Sequence, residues 1–386
     1  MTQITAAIIQ ARKNLHQLAE TAFNETRTSS YVAGFLRDLD LPVRTGVAGT
    51  GVVAVVEGDS AGPTVALRSD MDALPVAEAT GVEWASLTPG VMHACGHDTH
   101  MAMLLGAAML LSEEARAGRL HGRVKLIFQP AEEYPGGADP MIREGVMDCP
   151  KVDRVIGMHV NPDLPVGQVG IKRGPVTAAM DQFTVVLTGR GGHAATPHNA
   201  VDALVAACEF VNGLQQIVSR KIDPLEPAIV SVGRLVSGTA FNIVAETAEI
   251  VGTVRTVTES TRDRIEAQIR ARALALAQAT GVAAEVTYSR GYPPVVNHED
   301  MVLIARRACS RVVGAGDVVE VSSPSMVGED FAYFARLVPG ILIWLGAAPL
   351  SGERVPLHHP KFLVPEEVLE TGARVLAEVA LEALQY

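Results

Sequence analysis

The sequence predicts an α/β protein with a doubly wound, mixed but largely parallel sheet, into which a smaller α+β domain is inserted. Three observations support this fold class. The 386 residues exceed the usual size of one domain, about 100–150 residues, and 48% of them are hydrophobic. Short apolar strands alternate with helices at both ends of the chain, as in parallel sheets. The middle of the chain follows the order β-α-β-β-α-β, which is typical of a ferredoxin-like domain.

The first part of the chain, residues 1–180, contains apolar runs of strand length that end at glycine or proline. An amphipathic helix at the N-terminus is followed by predicted strands at 51–57, 64–68, 124–129 and 152–159, and by a helix at 101–114. Strands separated by helices in this way favour a sheet that is covered on both faces.

The middle part, residues 181–293, has a different pattern, and its first apolar run, 183–189, alternates like a half-buried strand. We predict strands at 183–189, 228–236, 249–257 and 282–288, and helices at 201–218 and 260–279. After residue 293 the first pattern returns, with helices at 299–313 and 365–384 around a strand at 340–345. Residues 1–180 and 294–386 are therefore expected to form one discontinuous domain around an inserted domain at 181–293.

Composition argues against several classes of partner. The formal net charge is −11 and no run of Lys and Arg is present, so binding of nucleic acid by a basic face is not expected. The longest apolar stretch, 101–111, is too short to span a bilayer, and no signal peptide is evident. The four cysteines are scattered, which favours free thiols. We expect a cytoplasmic protein with neither a membrane nor a nucleic-acid partner.

A cluster of metal-binding residue types lies at positions 92–100, where three His, one Cys and one Asp occur within nine residues. Cys95 and His97 are two positions apart, so a thiolate and an imidazole can face one divalent cation if the backbone is extended there. The alternative is a polar helix start, with Asp98 or Thr99 capping the helix that follows.

Further acidic and imidazole groups follow the predicted strands, where open α/β sheets place their sites. They are Asp70 and Asp72 after strand 64–68, Glu132 and Glu133 after strand 124–129, His159 at the end of strand 152–159, and His358 and His359 after strand 340–345. Each has another explanation, such as a solvated helix start for the glutamates or a sheet-edge histidine. Together they predict a metal-dependent hydrolase, in which one glutamate holds metal and its neighbour transfers protons.

Eight motifs in a fixed order carry a resemblance to a known family. They are SDMDALP (69–75), MHACGHD (92–98), QPAEE (129–133), GMH (157–159), GRGGHAATPH (189–198), GTVRT (252–256), GEDF (328–331) and LHHPKF (357–362). Over nearly its whole length the chain resembles the hippurate hydrolase and auxin-conjugate amidohydrolase family of dinuclear metallopeptidases.

This resemblance implies a centre of two divalent metal ions, zinc or manganese, with cobalt, nickel and iron as alternatives. The implied ligands are Cys95, His97, Glu133, His159 and His358. His358 rather than His359 matches the invariant histidine of the family pattern L-H-x-P-x-F. Glu132 takes the role of general acid/base, and Asp72 orients a ligand. Asp70 stands where related peptidases carry a metal-binding histidine, which leaves open whether it touches metal.

The resemblance also implies that the inserted domain is a lid and a dimerisation domain. His193 resembles a histidine that crosses from the partner subunit to stabilise the oxyanion, and Asn242 and Arg255 resemble residues that hold the substrate carboxylate. From the residues alone, His193 could be a loop histidine and Arg255 a surface residue. A homodimer is expected, with a tetramer as the alternative.

The implied activity is hydrolysis of the amide bond of small N-acyl amino acids, such as hippurate, N-acetylamino acids or auxin conjugates, by metal-activated water. A dipeptidase or carboxypeptidase is the enzymatic alternative, since it needs the same centre. A metal-binding protein without catalysis is a third hypothesis. Glu132 argues against it, because a structural site gains nothing from a spare carboxylate.

Overall fold

The computed structural model describes residues 3–58 and 61–386 and divides the chain into two compact units. The first unit comprises Met1–Gly174, Val296–Ser323 and Asp330–Tyr386, and the second comprises Pro175–Val295 and Pro324–Glu329. The sequence did not predict that residues 324–329 belong to the second unit. They are held there by main-chain hydrogen bonds to residues 176 and 178, and such bonds produce no recognisable sequence pattern.

The helices and strands have the following bounds. The α-helices are α1 (Gln3–Leu18), α2 (Thr26–Asp38), α3 (His97–Arg116), α4 (Ala138–Arg143), α5 (Ala203–Lys221), α6 (Glu259–Thr280), α7 (Glu299–Val313), α8 (Ala332–Ala335) and α9 (Glu367–Ala383). The strands are β1 (Val43–Val47), β2 (Gly51–Glu57), β3 (Thr64–Asp70), β4 (Arg123–Gln129), β5 (Arg154–Pro165), β6 (Val169–Ile171), β7 (Gly174–Pro175), β8 (Ala179–Thr188), β9 (Gly192–His193), β10 (Ala228–Ser237), β11 (Ile243–Val244), β12 (Thr247–Thr256), β13 (Ala283–Arg290), β14 (Val296–Asn297), β15 (Val318–Glu320) and β16 (Gly340–Ala348).

The first unit is built on an eight-stranded mixed sheet in the order β1-β2-β4-β3-β5-β16-β6-β15. Its centre, β4-β3-β5-β16, is parallel, whereas β1 and β2 add an antiparallel edge. All seven residues of β3 are buried, as expected of a central strand between two covered faces. The predicted large, mostly parallel sheet is thus confirmed.

Both faces of this sheet are covered. Helices α1, α2, α3, α7 and α9 pack on the face that holds Leu67, Phe128 and Ile343. Phe331 packs on the opposite face, against Gly157 and Leu342. Each fully buried Leu, Ile or Phe side chain contributes about 1.5–3 kcal/mol, so this core supplies most of the stabilisation of the unit. Within residues 3–58 and 61–386, no helix is long and apolar enough to cross a membrane.

Helix α3 begins at His97, four residues earlier than predicted, and the backbone between Cys95 and His97 is a turn rather than an extended segment. Gly96 between them adopts a φ of 86°, a left-handed conformation that glycine allows without steric cost. A Cβ at Gly96 would also come within 2.8 Å of Val160 Cγ2 in β5. Glycine therefore permits both the turn into α3 and its close approach to the neighbouring strand.

The second unit contains a four-stranded antiparallel sheet in the order β10-β12-β8-β13. Along the chain its main elements run β8-α5-β10-β12-α6-β13. Both helices contribute to one core, where Leu214 and Ile269 pack with Phe183 and Ile250 of the sheet. Strand β12 alternates buried and more exposed residues, because one face of the sheet lies against the helices.

Candidate metal centre

The five ligands implied by the sequence come together in the first unit, near the carboxyl ends of the central parallel strands. His159 lies in β5, Glu133 follows β4, and Cys95 and His97 stand at the start of α3. His358 lies in the loop after β16, and its main-chain N–H donates to Ala94 O at 2.8 Å, which holds this loop beside Cys95. Several separate segments thus supply one site, as parallel sheets commonly do.

The donor atoms form two groups of three that share Cys95. Those of Cys95, His97 and His159 lie within 4.8 Å of one another, and so do those of Cys95, Glu133 and His358. Cys95 Sγ is 3.5 Å from His159 Nε2, and His358 Nε2 is 3.1 Å from Glu133 Oε1. These two groups could hold two metal ions, and Cys95 belongs to both groups. His359 instead accepts a hydrogen bond from Lys361 N at 3.1 Å through its Nδ1.

The hydrogen bonds of His97 and His159 occupy Nδ1 of each ring and leave Nε2 available to a metal ion. Nδ1 of His97 lies 2.8 Å from Asp72 O, and Nδ1 of His159 lies 2.8 Å from Val160 O. Each Nδ1 therefore donates a proton, and each Nε2 can present a lone pair to a cation. His97 Nε2 is buried without a hydrogen-bond partner in residues 3–58 and 61–386, as expected of an atom whose partner is a metal ion.

The electrostatics of the cluster also fit a cation. Burial raises the pKa of the Cys95 thiol, and the carboxylates of Glu133 and Glu132 raise it further. Burial lowers the pKa of His159 to about 3, so its ring stays neutral. Burial opposes protonation of His97, but Asp70 and Asp72 outweigh it and raise its pKa to about 10. A divalent cation would replace the proton at His97 and stabilise the Cys95 thiolate in this negative field.

Glu132 and Glu133 lie on a loop in which three consecutive peptide N–H groups donate to buried carboxylates. Asp72 accepts from Glu132 N at 2.9 Å and from Glu133 N at 3.1 Å. The preceding N–H, that of Ala131, donates to Glu25 Oε1 at 2.9 Å. Asp72 was predicted to orient a ligand. Its carboxylate accepts a hydrogen bond from the main chain of Glu133 and also lies 3.4 Å from His97 Nδ1. Glu25 was missed, because nothing in its sequence context links it to this loop.

Asp70 and His100 lie next to His97, with donor atoms of all three within 4.8 Å of one another, and both are also hydrogen-bonded within the protein. Asp70 Oδ1 lies 2.7 Å from His100 Nδ1, and Asp70 Oδ2 lies 2.8 Å from Arg68 Nη1. His100 Nε2 accepts from Val160 N at 3.0 Å. Burial raises the pKa of Asp70, but His97, His100 and Arg68 outweigh it and hold that pKa well below its usual value. Asp70 is therefore a buried carboxylate whose two oxygens are both engaged.

The alternative explanation for Asp98, a helix cap, is wrong. The N-cap residue of α3 is Gly96, and the cap makes no side-chain hydrogen bond. Asp98 instead accepts from Arg12 Nε at 2.9 Å, and its Oδ2 lies 2.8 Å from His16 Nδ1. This buried ion pair joins α1 to the first turn of α3, immediately after the candidate ligand His97.

The three substrate-contact residues implied by the resemblance belong to the second unit. His193 in β9 is exposed and pairs with Ile243 of β11, while Ala194 N donates to Asn242 O at 3.1 Å. His193 and Asn242 are therefore neighbours. Arg255 in β12 is half-buried, which lowers its pKa, and its Nη1 donates to Val254 O at 3.1 Å.

Comparisons with known proteins agree with this centre. The family model "Peptidase family M20/M25/M40" matches residues 66–382. An N-acetyl-L-cysteine deacetylase of Bacillus subtilis is 38% identical over 384 residues, covering 100% of this chain and 90% of that protein. Thermostable carboxypeptidase 2 of Saccharolobus solfataricus is 39% identical over 380 residues, covering 97% and 95%. The solved YXEP protein of Bacillus subtilis, described as a dinuclear metal-binding peptidase of family M20, has a TM-score of 0.86 and 34% identity over 99% of each chain.

Proposed function

The chain belongs to peptidase family M20/M25/M40, a family of metal-dependent hydrolases that act on amides, and we propose that it cleaves the amide bond of small N-acyl amino acids. The observation that carries this proposal is the placement of Glu132. Its buried carboxyl group has an oxygen within 4.8 Å of donor atoms of His97 and Glu133, yet Cys95, His97, His159, Glu133 and His358 form two groups of donors without it. A carboxylate beyond the ligand set is what proton transfer in a hydrolase requires.

The donor set fits the metal centre that the family implies. Thiolate, imidazole and carboxylate donors together suit zinc, and we propose zinc or manganese at this site. Divalent cations supply Lewis-acid chemistry at such a centre, where they polarise a carbonyl oxygen and acidify water. Asp72 accepts hydrogen bonds from the peptide N–H groups of both glutamates, which anchors the main chain that carries them.

Glu132 performs the proton transfers. Its carboxylate removes a proton from the attacking water as the water oxygen bonds to the amide carbon. The same proton then passes to the amide nitrogen as the carbon–nitrogen bond breaks, which releases a carboxylic acid and a free amino acid. The hydrogen bond from Glu132 N to Asp72 Oδ1 fixes the main chain from which this carboxylate projects.

The second unit supplies the remaining substrate contacts in this proposal. We propose that it is a ferredoxin-like lid and the dimerisation domain of a homodimer. His193 would stabilise the oxyanion, and Asn242 with Arg255 would hold the substrate carboxylate. The pairing of His193 with Ile243 and the hydrogen bond from Ala194 N to Asn242 O support a shared role for His193 and Asn242, since they make the two residues neighbours.

A carboxypeptidase or dipeptidase is the second candidate, favoured by the carboxypeptidase of Saccharolobus solfataricus. Its identity to this chain, 39%, is equivalent to the 38% of the deacetylase, so identity does not separate the two activities. The two substrate classes differ in the acyl portion. In a dipeptide this portion carries a positively charged amino group, whereas N-acetyl and N-benzoyl groups contain no nitrogen.

A matched substrate panel distinguishes these candidates. Enzyme loaded with zinc or manganese is assayed for release of one amino acid from its N-acetyl, N-benzoyl and glycyl derivatives. We expect kcat/KM for the better N-acyl derivative to exceed that for the glycyl dipeptide by at least about tenfold, a difference of about 1.4 kcal/mol. Turnover of the dipeptide with inert N-acyl derivatives would contradict the proposal and favour the peptidase.

A further inference from the structure

The loop that carries Glu132 and Glu133 has a backbone conformation that its sequence does not favour. Ala131 is fully buried and has a φ of 55°, in the left-handed region that an alanine Cβ disfavours. Such a conformation persists only where the surrounding structure holds it. The contacts of Ala131 therefore determine where the two following glutamates lie.

Three consecutive N–H groups hold this loop, and they use carboxylates from two separate elements. Asp72, just after β3, accepts from the N–H groups of Glu132 and Glu133. Glu25 accepts from the N–H of Ala131, the residue in the left-handed conformation, at 2.9 Å. Glu25 is completely buried, and its other oxygen accepts from Thr50 Oγ1 at 2.6 Å. Its side chain is therefore fixed at both oxygens.

The side chain of Glu25 is not needed for the helix that it precedes. Glu25 is the N-cap residue of α2 but makes no side-chain capping bond there, and only its main-chain oxygen accepts from Ser29 N. Glu20 performs the capping, since its Oε2 accepts from the N–H groups of Arg27 and Thr28 at 3.0 Å each. A buried carboxylate is costly, so its placement calls for a role other than helix capping.

We propose that Glu25 is a positioning residue that holds Ala131 in its left-handed conformation and thereby sets the positions of Glu132 and Glu133. This inference rests on the proposed function, in which Glu132 transfers protons and Glu133 binds metal. Without Glu25, the N–H of Ala131 would be buried without a partner, and the loop would relax towards the ordinary conformation of alanine. Both glutamates would then move, so turnover and metal affinity would weaken together.

Four variants of the full-length protein test this role. Glu25→Leu removes both hydrogen bonds at similar volume. Glu25→Gln is the conservative variant, because its amide oxygen can accept from Ala131 N while its NH₂ donates to Thr50 Oγ1. Thr50→Val is the matched control, since it removes the other bond to Glu25 and leaves the loop contact in place. Glu25→Leu with Ala131→Gly removes the disfavoured Cβ, because glycine adopts positive φ freely.

The readouts are kcat and KM with an N-acyl amino acid and the affinity for Zn²⁺ measured by competition with a chelator. We expect Glu25→Leu to lower kcat and zinc affinity by about tenfold to a hundredfold each, with KM within about threefold of wild type. Glu25→Gln and Thr50→Val should stay within about threefold in all three quantities. Adding Ala131→Gly to Glu25→Leu should restore about tenfold in kcat and in zinc affinity.

Two outcomes would overturn the proposal. One is wild-type kcat and zinc affinity in Glu25→Leu, and the other is equal loss in Glu25→Leu and Thr50→Val without recovery by Ala131→Gly. If Glu25→Leu does not fold, Glu25→Asp replaces it, because the shorter side chain keeps the carboxylate but withdraws it from Ala131 N. If the wild type hydrolyses no N-acyl amino acid, the proposed function fails, while zinc affinity still decides the role of Glu25.

Discussion

Single hydrogen bonds decide which ring nitrogen each histidine presents to a cation. His97 and His159 use Nδ1 to reach main-chain oxygens, so their Nε2 atoms point into the cluster of donors. His100 belongs to the same stretch of nine residues but uses both ring nitrogens within the protein, one with Asp70 and one with Val160 N. Hydrogen bonding therefore distinguishes the proposed ligands His97 and His159 from His100, where residue type alone does not.

His16 provides a prediction about pH at this scale. It is buried between Asp98, 2.8 Å from its Nδ1, and Glu78, 3.2 Å from its Nε2. Burial alone would lower the pKa of His16, but these carboxylates outweigh it and raise the pKa to about 9. Folding therefore takes up a proton. The resulting stability, about 3 kcal/mol, is fully present below about pH 6.5 and is lost as pH rises through about 9.

The check is urea unfolding of wild type and His16→Gln between pH 6 and pH 10. The variant shares every other titrating group, so the difference in unfolding free energy isolates His16. We expect the advantage of the wild type to shrink by about 3 kcal/mol across this range. An advantage that is equal at pH 6 and pH 10 would show that His16 is not protonated in the folded protein.

At the scale of elements, helix α3 joins the site to the core. Its first residue is the proposed ligand His97, and its middle packs between α1 and α9. Gly106 makes this packing possible, since a Cβ there would lie 2.8 Å from Ile8 Cγ2 and from Ala373 Cβ. Gly34 in α2 has no atom within 4 Å of such a Cβ, and it serves as a matched helical glycine.

Substitution of these two glycines by alanine is expected to change the free energy of unfolding in opposite directions. Gly106→Ala should lower the free energy of unfolding by about 1–3 kcal/mol, because the added methyl group overpacks three helices. Gly34→Ala should raise it by about 0.4–1 kcal/mol, because it only restricts the unfolded chain and favours the helix. Urea unfolding of both variants measures these changes. Stabilisation by Gly106→Ala would contradict the close packing of α1, α3 and α9.

Elements with strong apolar periodicity were predictable from the sequence, and those at the edges of the sheet were not. The central strands and α9 carry continuous apolar patterns, whereas three of the five residues of β1 are exposed and give no such signal. The start of α3 was placed too late because its first turn buries polar residues. The motifs pointed to Cys95 and Glu133, whose donor atoms lie close together, but Glu25 contacts Ala131 across 106 positions, a link that no local pattern contains.

At the scale of the whole molecule, every proposed metal ligand belongs to the first unit, while the second unit has a core of its own. Binding of metal to the folded protein alone stabilises it by about 4 kcal/mol at a thousandfold excess over Kd. That stabilisation should act on the unit that binds the metal. Metal removal should therefore destabilise the first unit more than the second unit.

Hydrogen exchange with and without Zn²⁺ measures these responses. We expect zinc to slow exchange in 92–100 and 129–133 of the first unit, and to change helix Ala203–Lys221 of the second unit much less. Chelation should reverse the effect. Equal protection of both units by zinc would contradict a centre built from the first unit alone.

The central claim is that Glu132 transfers protons beside a metal centre that Glu133 helps to form. Its most direct test is the kcat and the metal content of Glu132→Gln, with Glu133→Gln as the matched neighbour. We expect Glu132→Gln to keep the metal content of the wild type while kcat falls by about 10²–10⁴, and Glu133→Gln to lose metal. Glu132→Gln with near-normal kcat, or with its metal lost, would contradict the assignment.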